Sequence, residues 1–158
     1  MKRKNILPWA AVVLWMVMIF LFSAQTGDRS GNTSGQIVRW VIGLCYRDFA
    51  ELSLAEQTRI LDIVHMLIRK GAHFTEYAVL AMLTANALRP YSLSTLRRWF
   101  IPVGVCALYA LTDEIHQYFV PERACRLLDM CIDTAGGAFG TAVFSLLFLI
   151  KKRTSQKA

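Results

Sequence analysis

No aspartate or glutamate occurs in three short segments of this chain, residues 1–6, 89–99 and 151–158. The same segments hold Lys2, Arg3 and Lys4, then Arg89, Arg97 and Arg98, then Lys151, Lys152, Arg153 and Lys157. Charge is scarce throughout, at 18% of residues against 55% hydrophobic, and the mean hydropathy is +0.39. An ordinary soluble domain would not need apolar runs this long and this free of charge. The net charge of +7 argues against a nucleic-acid partner once it is mapped, because the basic residues flank apolar runs, as topology signals do. Dense metal motifs are also missing. Cys45, Cys106, Cys125 and Cys131 fit no zinc spacing, and no HExxH sequence occurs. The cysteines are expected to act as small buried hydrophobes, with no argument for a disulfide.

What is present reads as an all-α membrane protein, one membrane domain over residues 1–158 with four transmembrane helices. A spanning helix needs about 20 largely apolar residues. The first run covers about residues 6–24. A cleaved signal peptide competes, but the run is long for one and no clear small-x-small cleavage site follows. Residues 25–35, rich in Gly, Ser and Thr, read as loop. Residues 36–46 are too short to span and fit a short interfacial helix. Ser53 to Glu56 has the form of a capping box. It opens an amphipathic outer helix that carries Ile60, Leu61, Val64, Leu67 and Ile68 to one side and leads into helix two. Gly71 marks a hinge before the second span, about 71–88. The third span covers about 100–120 and the fourth about 127–150. Gly136, Gly137 and Gly140 give the fourth a small-residue face for close helix packing.

Four spans place all three acid-free basic segments on one side. By the positive-inside rule that side is cytoplasmic, with both termini inside. The unusual polar residues then collect at the opposite, outer level. Arg69, Lys70, His73 and Glu76 lie at the start of helix two, with Arg69, His73 and Glu76 on one face. Asp113, Glu114, His116 and Gln117 end helix three. Arg123 and Arg126 occupy the following loop, Asp129 and Asp133 begin helix four, and Gln25 closes helix one. Ionisable groups inside spans are costly and face an interior or a wet cavity. Glu76, Asp129 and Asp133 are expected near helix N-termini, where the backbone dipole favours anions. Asp113 and Glu114 lie near a C-terminus and need a compensating partner such as Arg123, Arg69, His116 or a cation. An ion-pair belt tying the helix ends together is the competing, purely structural account.

Such a set can do acid–base work, with His73, Glu76, Asp113, Glu114 and His116 as candidate catalytic groups. Arg69, Lys70, Gln117, Arg123, Asp129 and Asp133 are the candidate binding groups, the arginines suiting an anionic headgroup. No cofactor is predicted. The metal reading left open is a divalent ion held by pairs such as His73 with Glu76 or Asp113 with His116. His65 is expected on an exposed face, and Trp9, Trp15, Trp40 and Trp99 at interfaces or in packing.

RKGAHFTEYAVLA (69–81), TDEIHQYFVPER (112–123) and DMCIDTAGGAFG (129–140) resemble the three signature blocks of the VanZ-like membrane proteins, and FSAQ (22–25) resembles their end of helix one. The order is right and most of the chain is covered. The resemblance implies a small bacterial plasma-membrane protein in a family whose namesake lowers susceptibility to teicoplanin. The matching polar positions are Lys70, His73, Glu76, Tyr77, Asp113, Glu114, His116, Gln117, Arg123, Asp129 and Asp133. Glu122 departs from the glycine common in the family, and Ala124-Cys125-Arg126 replaces residues that are usually small or polar. The expected function is an outward-facing polar pocket that binds or modifies an envelope lipid or cell-wall precursor. An enzyme on a lipid-linked substrate, a small transporter and a scaffold are the alternatives. Transport is the weakest, because few polar groups (Thr84, Asn86, Thr141, Ser145) continue toward the cytoplasmic side.

Overall fold

The computed structural model describes residues 6–24, 27–120 and 126–155, the side chains of 27–34 and 36 excepted. Those residues form five α-helices and one short 3₁₀ turn, Phe49–Glu51, with no strand among them. The helices are α1 (Leu7–Ser23), α2 (Gly27–Cys45), α3 (Leu54–Ala87), α4 (Thr95–Tyr118) and α5 (Leu127–Ser155). Pro8 sits in the first turn of α1, where its missing N–H leaves no helical bond unmade.

Two expectations about α2 and α3 are corrected. The segment expected as loop, 25–35, is helical from Gly27 onward. Val38 and Ile42 of α2 are buried with Val64 of α3, and a helix anchored by packing propagates more easily than it nucleates. Poor helix formers upstream are a weak prior against that anchor. Likewise, Gly71 is no hinge. The amphipathic segment and the second apolar run form one helix of 34 residues, about 51 Å at 1.5 Å per residue. Packing on both sides of Gly71 holds the helix continuous: Ile60, Leu61 and Ile68 lie against α2, and Tyr77, Leu80 and Ala81 lie in the main core. Leu67 does not join its predicted neighbours and is 59% exposed. The capping box is present as predicted, with the Ser53 hydroxyl accepting from the Glu56 N–H and the Glu56 carboxylate accepting from the Ser53 N–H.

The long helices alternate in direction. Phe74 and Ala78 of α3 lie against Gly136 and Gly140 of α5, so α3 and α5 run parallel. The Tyr109 hydroxyl donates to the Met16 carbonyl at 2.6 Å, and Gln117 Nε2 donates to Ser23 Oγ at 2.8 Å, so α1 and α4 also run parallel. Trp15 Nε1 donates to the Glu76 carbonyl at 2.8 Å, and Cys106 Sγ lies 3.5 Å from the Tyr77 carbonyl. These contacts fasten the two pairs together.

The glycine face works as expected. A Cβ at Gly136 or Gly140 would overlap the carbonyl oxygen of Phe74 or Ala78, and one at Gly137 would lie 2.7 Å from Cys106 Cβ. Cys106 is buried, but Cys45 and Cys131 are exposed. They face outward on helices whose opposite faces pack, which corrects the expected burial for these two; Cys125 lies outside the described residues. By length and composition α5 alone, among the described residues, is long and apolar enough to cross a membrane; α1 is apolar but has 17 residues. Charged residues interrupt the apolar stretches of α3 and α4, so the expected four spans do not follow from length and composition.

Candidate functional site

The interior of the bundle is polar at one level. Asp133 (1% exposed), Glu114 (1%), Asp113 (3%) and Gln117 (5%) are buried there, alongside Ser23. The α3–α5 seam brings His73 beside Asp133, with Nδ1 3.8 Å from Oδ1. From α4, Asp113 faces the same point. One ligand atom from each of His73, Asp113 and Asp133 lies within 4.8 Å of the other two. Imidazole nitrogen and carboxylate oxygen are both ligands for divalent ions, and both exchange protons.

Most neighbouring positions are fixed by specific partners. Gln117 Nε2 donates to Asp113 Oδ2 at 3.1 Å as well as to Ser23. The i, i+4 spacing on α4 makes that contact, and it orients the carboxylate from the end of α1. The opposite oxygen, Asp113 Oδ1, is buried without a hydrogen-bond partner, as is Asp133 Oδ1. Tyr77 is one turn from His73 on α3, fully buried, with its hydroxyl unpartnered.

The remaining predicted residues are distributed around this centre. Lys70 forms an ion pair with Asp129 across the α3–α5 seam, both partly exposed. A Lys–Asp pair of this kind is what the structural account expected of a belt tying helix ends together. Glu114 is not one of the three residues of the metal-competent group. Its carboxylate accepts from the Arg126 backbone N–H at 2.7 Å, just before α5. That N–H supplies part of the compensation that its place near the end of α4 requires. His116 lies against Phe20, with ring centroids 4.3 Å apart, and its Nε2 is buried without a partner. His73 thus meets Asp133 across the α3–α5 seam, and Asp113 meets Gln117 within α4. Glu76 is half-buried in the middle of the continuous α3 rather than near an N-terminus, which corrects its expected dipole stabilisation. Arg69 is half-buried and has no hydrogen bond or ion pair to the cluster among the described residues. His65 is half-buried rather than exposed, because its stretch of α3 packs on α2. Arg123 and Gln25 lie outside the described residues.

Sequence reasoning missed Ser23 as the group behind Gln117. The FSAQ resemblance flagged its segment, but only the parallel packing of α1 and α4 reveals the contact. It also missed Tyr109, whose place four residues before Asp113 on the same face was the available signal.

Together these features define a helical protein with a carboxylate–imidazole cluster buried between three helices. The sequence profile of the VanZ/LLP1 family matches residues 8–149, and the chain belongs to that family. Comparison with curated proteins and with solved structures gave no match.

Proposed function

We propose that this VanZ-like envelope protein spans the membrane four times, through α1, the second half of α3, α4 and α5. In this reading both termini are cytoplasmic, and the cluster around His73, Asp113 and Asp133 forms the floor of an outward-facing pocket. The pocket takes an envelope lipid or a cell-wall precursor, and its occupation lowers susceptibility to teicoplanin-type glycopeptides.

The observation that carries this reading is the inverted organisation of the bundle. Asp113, Glu114, Gln117 and Asp133 are inside, while Leu14, Leu21, Phe100, Leu108, Ile115, Phe139 and Leu146 are outside. Apolar surface of that extent needs a lipid or protein cover. Along α4 the exposed positions Phe100, Leu108, Leu111, Ile115 and Phe119 recur at helical spacing, as on a lipid-facing stripe. The alternating helix directions suit a chain that crosses four times. On α2, Ile37, Trp40 and Leu44 form an exposed apolar stripe opposite the buried Val38 and Ile42, which suits a helix lying at the interface.

Binding or modification at this end is favoured over transport through the bundle. Toward the other end, the hydroxyls of Thr84, Thr141 and Ser145 donate to Leu80, Gly137 and Thr141 carbonyls of their own helices, at 2.8, 2.9 and 2.8 Å. Those groups are occupied and offer no continuing polar path.

The test is teicoplanin susceptibility in a sensitive host expressing Asp113→Ala, His116→Ala or Glu76→Ala, with membrane insertion checked for each. Loss of protection in Asp113→Ala with normal insertion is expected. Protection unchanged in all three variants would overturn the pocket reading.

A further inference from the structure

We infer that His73, Asp113 and Asp133 form a binding site for one divalent transition-metal ion. The inference goes beyond the pocket's role in the envelope and stands on the cluster itself. Three helices each supply one ligand: His73 from α3, Asp113 from α4 and Asp133 from α5. Ligand atoms around such an ion sit about 2.0–2.2 Å from it, hence roughly 3–4.3 Å from one another. The atoms here lie within 4.8 Å of each other, so side-chain adjustment closes the site without moving a helix.

Two independent observations point to a cation. Asp113 and Asp133 are 97% or more buried by their 3% and 1% exposures, and each keeps one oxygen, Oδ1, that accepts no hydrogen bond; His73 Nδ1 stands 3.8 Å from that of Asp133. Buried polar atoms are nearly always satisfied, and one cation between the two acids and His73 would satisfy both oxygens at once. The nearest lysine of the seam, Lys70, is engaged by Asp129. Two carboxylates and a neutral imidazole carry two negative charges, which a dication balances in a medium that tolerates no net charge.

The ligand set also selects the ion. An imidazole among the ligands favours zinc or ferrous iron over calcium and magnesium, which prefer oxygen alone, and the two carboxylates keep manganese within range. The Gln117–Ser23 chain holds Asp113 from behind, as outer groups hold metal-binding carboxylates elsewhere. His73 is the most open of the three, with 18% of its side chain exposed, so the free coordination positions face its side. Water or an anionic oxygen of a bound molecule would fill them.

The test uses full-length protein purified in detergent, stripped with chelator, then equilibrated with Zn²⁺, Mn²⁺ or Ca²⁺ and desalted for metal analysis. Stoichiometric Zn²⁺ or Mn²⁺ is expected, with little Ca²⁺. Asp133→Asn and Asp113→Asn should bind at least about ten-fold more weakly while keeping a wild-type elution profile. Mn²⁺ electron spin-echo spectra of the wild type should show one imidazole nitrogen, lost in His73→Ala; this arm decides the matter even if the aspartate variants do not fold. Wild-type protein that retains no transition metal, or a spectrum with no imidazole nitrogen, would overturn the site. Metal binding without any effect of these variants on teicoplanin susceptibility would leave the cation site standing and remove the pocket's proposed role.

Discussion

The two halves of α3 are built on different principles. From Leu54 to Lys70 the helix has the economy of a soluble amphipathic segment. It has a capping box at its start and a stripe of branched aliphatics packed on α2 through Val38, Ile42 and Val64, with Lys70 at its end reaching Asp129 of α5. From Gly71 to Ala87 it is packed by α1, α4 and α5. Tyr77, Leu80, Ala81 and Thr84 have no exposed surface, and backbone meets backbone at the α5 glycines. The first half is held by side chains filling space, the second by the absence of side chains. Only the second half carries a ligand-competent residue, His73, because only there do other helices approach closely enough to share a point with it.

Substitutions at the glycines test that contrast most severely. Gly140→Ala places a methyl into the Ala78 carbonyl and should destabilise the bundle by about 3 kcal/mol or more, seen as loss of the monodisperse folded fraction in detergent. A tolerated Gly140→Ala would mean that the α3–α5 seam is looser than described. Ile42→Ala acts on the other half. It should cost about 2 kcal/mol and release α2 alone, read as faster amide exchange in α2 with unchanged protection around Tyr77. Exchange that rises in both halves would show that they are one cooperative unit.

Smaller effects follow at the start of α3. Ser53→Ala removes the cap and should cost about 1 kcal/mol, expressed as fraying of the first turn. The hydrogen bonds from Ser53 hold the Glu56 carboxyl below its ordinary value of 4.5. A depressed pKa means that this contribution is fully present above pH 4.5 and is lost as the pH falls through the lower, folded value. The protection factor of the amides in that turn, the rate corrected for intrinsic exchange at each pH, should therefore fall on acidification below 4.5 in the wild type and lose this dependence in Glu56→Gln. Gly71→Ala has the smallest effect and the opposite sign. No atom lies within 4 Å of a Cβ there, and the helix is continuous, so alanine should stabilise it by about 0.4–1 kcal/mol. Destabilisation would restore the hinge.

Local signals were the legible part of this sequence. The capping box, the glycine face and the apolar runs each depend on residues within a few positions, and each is present close to where it was expected. α4 begins at Thr95 rather than near Phe100 because Ser94 caps it through the Arg97 N–H. Partners were not legible. Spacing on one helix correctly put His73 and Glu76 on a face, but it could not say that α5 would offer Asp133 to the same histidine. Nor could it say that Glu114 would be answered by a main-chain N–H at Arg126. The conformation of Gly27–Ser34 and the continuity through Gly71 were hidden for the same reason: in both, helix propensity is overruled by packing from a distant segment.

The glycine seam also limits how the interior can change. Where two backbones touch, no rotamer can flip to widen the gap, so α3 and α5 behave as one bar that carries His73 and Asp133 at a set separation. Against that bar α1 and α4 are held differently, by the Trp15 and Cys106 contacts, the Glu114 bond to the Arg126 N–H and the apolar packing around them. The molecule thus joins one seam locked backbone to backbone with another held by side chains, and Asp113 stands on the side-chain-held partner.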